Sequence, residues 1–289
     1  MRYSVRLSIR LRISARLLSL LTVLAGLPAS AQSNWFDRYE ARLATTLAEQ
    51  PHWATPLVTT NPRVEEDIRT DFVRQSVTGG QQTWNFGNTK GLQIVPFRRV
   101  ELRFSPPPFI THTNPKVEDG FGDVAFRAKV RIYGSNEQHR NAIVTALLGA
   151  SVPTGKSGNG SCCAILMPTL EAGKGFGKFD VVASFGGTLP VSNVKKLGRQ
   201  FVFNNAEQYH VKGLLWVESE FNSTFYYGGS NDGKQQTFAT PGVMVSRIPL
   251  NGSGGVVHLT LTLAVGEQLA LTHFNTYNHS PIFSARLRF

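Results

Sequence analysis

The stretch Asp123-Val124-Ala125-Phe126-Arg127-Ala128-Lys129-Val130-Arg131-Ile132-Tyr133 decides the fold. Read two residues at a time, Val124, Phe126, Ala128, Val130 and Ile132 share one face, wholly apolar. Asp123, Arg127, Lys129 and Arg131 share the other, with Ala125 among them. A helix would scatter both sets around its axis; an extended strand separates them, because its side chains alternate sides. The strand therefore meets an apolar medium on one face and a polar space on the other.

The same period recurs outward from this stretch. Val257, Leu259, Leu261, Leu263 and Val265 alternate with His258, Thr260, Thr262 and Ala264. From Leu215 to Tyr227, Trp216, Glu218, Glu220, Asn222 and Thr224 alternate with Leu215, Val217, Phe221 and Phe225. Val100 to Phe104 and Phe179 to Leu189 repeat the theme. At the C-terminus Phe283, Ala285, Leu287 and Phe289 alternate with Ser284, Arg286 and Arg288. An alternating strand that ends on a terminal Phe resembles the assembly signal of bacterial outer-membrane barrels.

Connections alternate short and long. Pro96-Phe97-Arg98, Ser135 to Asn141, Gly175-Phe176-Gly177, Lys212-Gly213 and Leu250 to Gly255 are the short ones. Ser76 to Thr89, Pro106 to Glu118, Gly155 to Ala164, Val191 to Gln200, Gly228 to Lys234 and Thr272 to Ser280 are the longer ones. Membrane barrels have short turns at one end and longer loops at the other. The reading is all-β: a transmembrane antiparallel up-and-down β-barrel of about 12 strands with a short N-terminal helix. Strand starts fall near Pro62, Asn88, Arg99, Gly120, Asn141, Ile165, Lys178, Arg199, Leu214, Gln235, Gly255 and Pro281. Ten or fourteen strands, or a soluble β-sandwich, are the alternatives.

Residues 1–31 have the three-part layout of a secretory signal peptide. Arg2, Arg6, Arg10, Arg12 and Arg16 precede the short apolar run Leu17 to Leu27, and Ala29-Ser30-Ala31 is a small-residue cleavage site. Removing those arginines lowers the net charge from +11 to +6. The remaining basic residues are spread along strands, which argues against nucleic-acid binding. No apolar run is long enough for a transmembrane helix, so a membrane-spanning chain must close its backbone hydrogen bonds in a barrel. Cys162 and Cys163, the two cysteines, are adjacent and cannot staple distant segments.

Trp35, Tyr39, Leu43 and Leu47 recur every four residues, which predicts one amphipathic helix over Asn34 to Gln50, followed by a linker from Pro51 to Asn61. The helix is expected to rest on the periplasmic membrane interface, with a plug inside the barrel as the alternative. The expected organisation is a leader at 1–31, a periplasmic helix and linker at 32–61, and a barrel at 62–289.

The period places many charges in the lumen. Glu101, Arg103, Arg127, Lys129, Arg131, Glu171, Glu218, Glu220, Arg286 and Arg288 are the candidate pore-lining residues. Strand one carries Glu65, Asp67, Arg69 and Asp71 on its lumen face, and closure must bring the last strand's Arg286 and Arg288 beside them. Such charges either pair to fill a narrow interior or line a pore and select solutes. The seven histidines sit in no recognisable hydrolase arrangement, and no phosphate-binding loop or metal spacing is present, so neither catalysis nor a metal or cofactor is expected. The Gly-rich tracts Gly155 to Gly160, Gly173 to Gly177 and Gly228 to Gly233 read as turns and loops.

Gly120-Phe121-Gly122-Asp123, running into the Phe126 to Arg131 strand, resembles the family named for the meta-cleavage pathway of phenol degradation. Ser151-Val152-Pro153-Thr154-Gly155, Leu189-Pro190, Gln208-Tyr209 and Thr240-Pro241-Gly242 fit the same pattern. The likeness covers roughly 62–289. The whole chain is also similar to exported proteins of soil bacteria of the acidobacterial type. The resemblance implies an outer-membrane barrel transporting hydrophobic aromatic compounds, and defines no binding residues to carry over.

These readings together give an outer-membrane channel for passive uptake of small, hydrophobic or aromatic, molecules. Its expected partners are outer-membrane lipid, the solute, and the barrel-assembly machinery through the strand ending at Phe289. A closed structural or surface-interaction barrel is the alternative. A rim hydrolase using His273 or His279 is a third.

Overall fold

Alternating sequence becomes paired strands, and the pairing closes on itself. The computed structural model describes residues 29–77, 79–156, 158–250 and 259–289. The leader expected at 1–31 lies almost wholly outside them, as does His258. The described residues form fifteen antiparallel strands. The first seven are β1 (Asp67–Ser76), β2 (Gln82–Phe86), β3 (Leu92–Phe97), β4 (Val100–Ser105), β5 (Phe109–His112), β6 (Gly120–Phe121) and β7 (Val124–Ser135). Next come β8 (Ala142–Val152), β9 (Ile165–Phe176), β10 (Phe179–Pro190), β11 (Arg199–Lys212) and β12 (Leu215–Tyr227). The last are β13 (Gln235–Pro249), β14 (Thr260–Ala270) and β15 (His279–Arg288). β15 pairs with β1 from Asp67↔Arg288 to Ser76↔His279, which removes both sheet edges.

Three staves of the barrel are each made of two consecutive strands. β2 and β3 pair with opposite halves of β1. β4 pairs with β3 and β7, while β5 continues it against β2 and β6. β6 leads into β7 through Gly122 and Asp123. Fifteen strands thus build a closed barrel of twelve staves. The breaks have local causes. Pro106, Pro107 and Pro108 have no N–H to give a ladder and interrupt the third stave. Gly87, at φ 104°, takes a backbone that other residues avoid, and it bends the second.

Two stretches expected as loops are therefore partly strand. β2 falls within Ser76 to Thr89, so the second stave starts at Gln82 and not near Asn88; β5 falls within Pro106 to Glu118. Glycine and proline on either side hid both short pairings. Gly173 and Gly175, read as turn residues, lie inside β9 on its lumen face; only Gly177, at φ 65°, makes the turn. Strand one begins at Asp67, five residues later than expected, because 62–66 are held by side chains of the barrel interior (below).

The faces are the reverse of a soluble protein's. Phe104, Phe126, Leu148, Phe185, Phe221 and Val265 stand exposed on the outside, Phe126 at 48% and Val265 at 52%. Thr145, Glu171, Gln208 and Glu220 are fully buried on the inside. In water each square ångström of that apolar girdle would cost roughly 25 cal/mol; in hydrocarbon it costs nothing, while the backbone is already paired. A soluble sandwich would bury this face between two sheets, and here one sheet closes with it outermost.

Both ends of the barrel chain, Asp67 and Arg288, lie at the short-turn end. Helix α1 (Ala29–Ala48) overlaps the helix expected at Asn34 to Gln50 but starts earlier and ends two residues sooner, with the Trp35 and Tyr39 rings stacked one turn apart at 5.8 Å. The chain divides into two units at 44/45: most of α1 belongs to the first, and its last turn belongs with the barrel. A short helix, α2 (Val194–Leu197), sits in the loop between β10 and β11.

Candidate functional site

Residues 49–66 have no strand or helix and run through the barrel interior. An irregular segment inside a sheet must have its backbone polar groups met by something. Here lumen side chains meet them. Glu218 accepts the Leu57 N–H at 3.2 Å, and Glu220 accepts those of Val58, at 2.9 Å, and Thr59. Arg69 donates to the carbonyls of Pro56 (3.1 Å) and Leu57, and Lys129 to those of Asn61 (2.6 Å) and Arg63 (2.9 Å). Arg131 donates to the Thr46 carbonyl at 2.6 Å and to the Glu49 carboxylate at 2.8 Å. Gln50 binds both backbone groups of Val64, at 2.8 and 3.0 Å, folding the segment back on itself. The stretch expected as a linker, Pro51 to Asn61, is thus held by hydrogen bonds from the barrel wall.

Two apolar side chains anchor the segment. Leu57 is buried among Val73, Met244, Ala264 and Ile282, and Trp53 among Ile143 and Val182. Wall glycines make the room. A Cβ at Gly242 or Gly266 would come within 2.8 or 2.7 Å of Leu57 Cδ1, and one at Gly173 within 2.6 Å of Trp53 Cζ3. The Trp53 indole N–H donates to Asn141 Oδ1 at 3.0 Å, fixing the ring's angle. Gly173→Val is therefore expected to expel the Trp53 ring. Acrylamide quenching of tryptophan emission should rise in this variant and be indifferent to it in a Trp53→Phe background. Equal quenching in Gly173→Val and wild type would show that the ring has other room.

At the short-turn end two carboxylates tether the segment. Glu137 receives the His52 backbone N–H and faces its ring nitrogen at 2.9 Å. Partial burial acts to raise the Glu137 pKa, but the His52 hydrogen bonds outweigh it and hold the carboxyl below its ordinary value. Glu49 is held low chiefly by its hydrogen bonds from Arg98, with Arg131 adding to the effect.

The ten candidate lining residues separate into three groups. Glu218, Glu220, Lys129 and Arg131 hold the lumen segment. Glu101, Arg286, Arg288 and Glu171 are engaged in buried pairs. Glu101 bonds the Glu65 N–H at 3.0 Å and Lys129 Nζ at 3.2 Å. Arg286 lies 3.3 Å from Asp67 and 3.5 Å from Glu65, Arg288 3.5 Å from Glu65, and Glu171 accepts from Thr145 at 2.9 Å. Closure of β15 on β1 forces this network, as the lumen phase of those strands requires. Arg103 and Arg127 form the third group and line an open space inside the barrel.

That space is a cavity of about 500 Å3 between the lumen segment, which supplies Thr60, and the β8–β9 loop, which supplies Asn159, Gly160 and Ser161. Asp123 holds the loop in place: its carboxylate accepts the N–H groups of Gly155 (2.9 Å) and Ser161 (2.7 Å) and the Ser161 hydroxyl. Gly155 and Gly160 pack too closely against this site to carry a Cβ: one on Gly155 would come within 2.8 Å of the Gly122 carbonyl carbon. The Gly120 to Asp123 motif and the Gly155 to Gly160 tract are thus two halves of one loop clamp. His112 adds a second tie, facing Asn159 Oδ1 at 2.6 Å and Thr83 Oγ1 at 3.3 Å. The neighbouring Cys162 and Cys163 are free thiols, with sulfurs 3.8 Å apart.

No family model and no curated protein matches the chain in sequence. Among solved structures it is similar to an outer-membrane channel from Pseudomonas putida F1, at 14% identity and a TM-score of 0.58. The match covers 82% of this chain and 100% of that one. The NanC porin is matched at 8% identity and a TM-score of 0.47, over 78% of this chain and 98% of the other. The first likeness shows a shared barrel fold.

Proposed function

We propose that this chain is an outer-membrane channel for passive uptake of small molecules, narrowed by its own residues 49–66. One observation carries the reading: a closed barrel, apolar outside and polar inside, that keeps a cavity beside the segment filling the rest of its lumen. The fold shared with an outer-membrane channel supports it. The exposed girdle and the leader expected at 1–31 support placement in the outer membrane. The terminal strand through Phe289 would present the assembly signal. The resemblance to the phenol meta-cleavage family supports hydrophobic or aromatic solutes. The ion-paired lumen segment favours the second reading, a barrel closed for a structural role.

Conductance separates the two. The protein reconstituted into planar bilayers should show discrete steps, small in wild type and larger once the lumen segment is loosened. Silence in both states would sink the channel reading and leave the closed barrel.

A further inference from the structure

We infer that the cavity beside the lumen segment is a binding site for a small aromatic carboxylate. The inference deepens the channel reading by naming a solute class, but its first evidence is charge left over inside the barrel. Arg103 on β4 and Arg127 on β7 are direct cross-strand partners, and both line the cavity. Like charges directly opposite each other are unfavourable in a sheet. Among the described residues Arg127 has neither a hydrogen bond nor an ion pair. Arg103 donates to the Gln93 amide oxygen, while its Nε is buried without a partner.

The surrounding acids are committed elsewhere. Asp71 serves Arg69 at 2.8 Å and Lys90 at 3.7 Å. Asp67 serves Arg286 and Gln93, and Glu101 serves Lys129. Asp123, which also lines the cavity, is occupied by the Gly155 and Ser161 donors. Two guanidinium groups therefore face the cavity with no protein anion to answer them.

The rest of the lining selects among anions. Ile110, Leu147, Ile165, Met167 and Val202 give an apolar wall, and a hydrated inorganic ion gains nothing from it. A planar carboxylate meets a guanidinium through two parallel hydrogen bonds. An aromatic ring attached to it would rest on the apolar wall and against the second guanidinium face. About 500 Å3 accommodates a one-ring acid with water to spare.

Calorimetric titration of the purified protein in detergent tests this, with benzoate as the probe. Saturable benzoate binding is expected, with none for benzamide, its uncharged counterpart. Arg127→Gln should weaken benzoate by about tenfold or more, and Arg127→Lys should restore part of it, since one charge-assisted pair carries most of the recognition. The Arg103→Gln/Arg127→Gln double variant should abolish binding. Should the double variant fail to fold, Arg127→Gln carries the test alone, because its side chain holds nothing else in place. Equal binding of benzamide would make the site merely apolar, and competition by chloride at equal concentration would make it an inorganic-anion site. Either result, or no saturable benzoate binding, or an unaffected Arg127→Gln variant, overturns the proposal. Binding in detergent is read without conductance, so a silent barrel that binds benzoate would refute passage and leave the site standing.

Discussion

Replacing Glu218 and Glu220 together with alanine is expected to raise single-channel conductance several-fold and to make it noisy. These two carboxylates accept three successive backbone N–H groups, those of Leu57, Val58 and Thr59. A hydrogen bond to a charged group contributes about 1.5–3 kcal/mol, and a buried donor left unpaired costs a similar amount. Losing both acceptors at once therefore shifts the segment's in–out equilibrium by orders of magnitude. Leu57 keeps its apolar pocket, so the segment should flicker between seated and released positions. The Glu218→Gln/Glu220→Gln pair retains an acceptor at each position and should conduct much more like wild type. Identical conductance in the alanine variant and wild type would mean that the apolar anchors alone seat the segment.

Glu65→Ala is expected to be the most destabilising single change, by about 3–5 kcal/mol, the usual cost of stripping one partner from a buried ion pair. Glu65 lies 3.2 Å from Arg63, 3.5 Å from Arg286 and 3.5 Å from Arg288, and also accepts from Asn61 at 2.7 Å and Thr55 at 3.2 Å. It is 3% exposed. Its removal would leave three arginines crowded at the seam where β15 closes on β1. The temperature at which the folded gel band converts to the unfolded one should fall markedly, and urea unfolding should agree. A loss under about 1 kcal/mol, the range of exposed pairs, would show that lumen water screens the cluster.

The network at this seam was half legible in the sequence. Asp67, Arg286 and Arg288 announce their lumen phase by alternation alone, and closure of an up-and-down sheet dictates that first and last strands meet; Glu65 precedes the strand and joins them from the irregular segment. The clamp on the β8–β9 loop was not legible. Its halves, Asp123 and Ser161, are 38 residues apart, and glycine tracts look alike whether they form turns or yield space to a neighbour. Gly173 shows the same limit. It was read as a turn residue, and its place within β9 and its purpose both rest on Trp53, which a strand period cannot reveal.

What the sequence by itself determined was most of the wall: the regular strands, their inward and outward faces, and a barrel of about twelve staves. Each is a local property, set by a two-residue period and by turn-forming residues, and it survives whatever the rest of the chain does. What only the tertiary structure decided was the contents of the lumen. Residues 49–66 have no period, and one of their partners lies 221 residues along the chain, from Glu65 to Arg286. An irregular segment can be stable there because the folded wall offers charged acceptors, donors and glycine hollows at matching heights. The same tertiary fact separates the lumen charges into those that hold the segment, those that pair with one another, and the two, Arg103 and Arg127, that line the cavity.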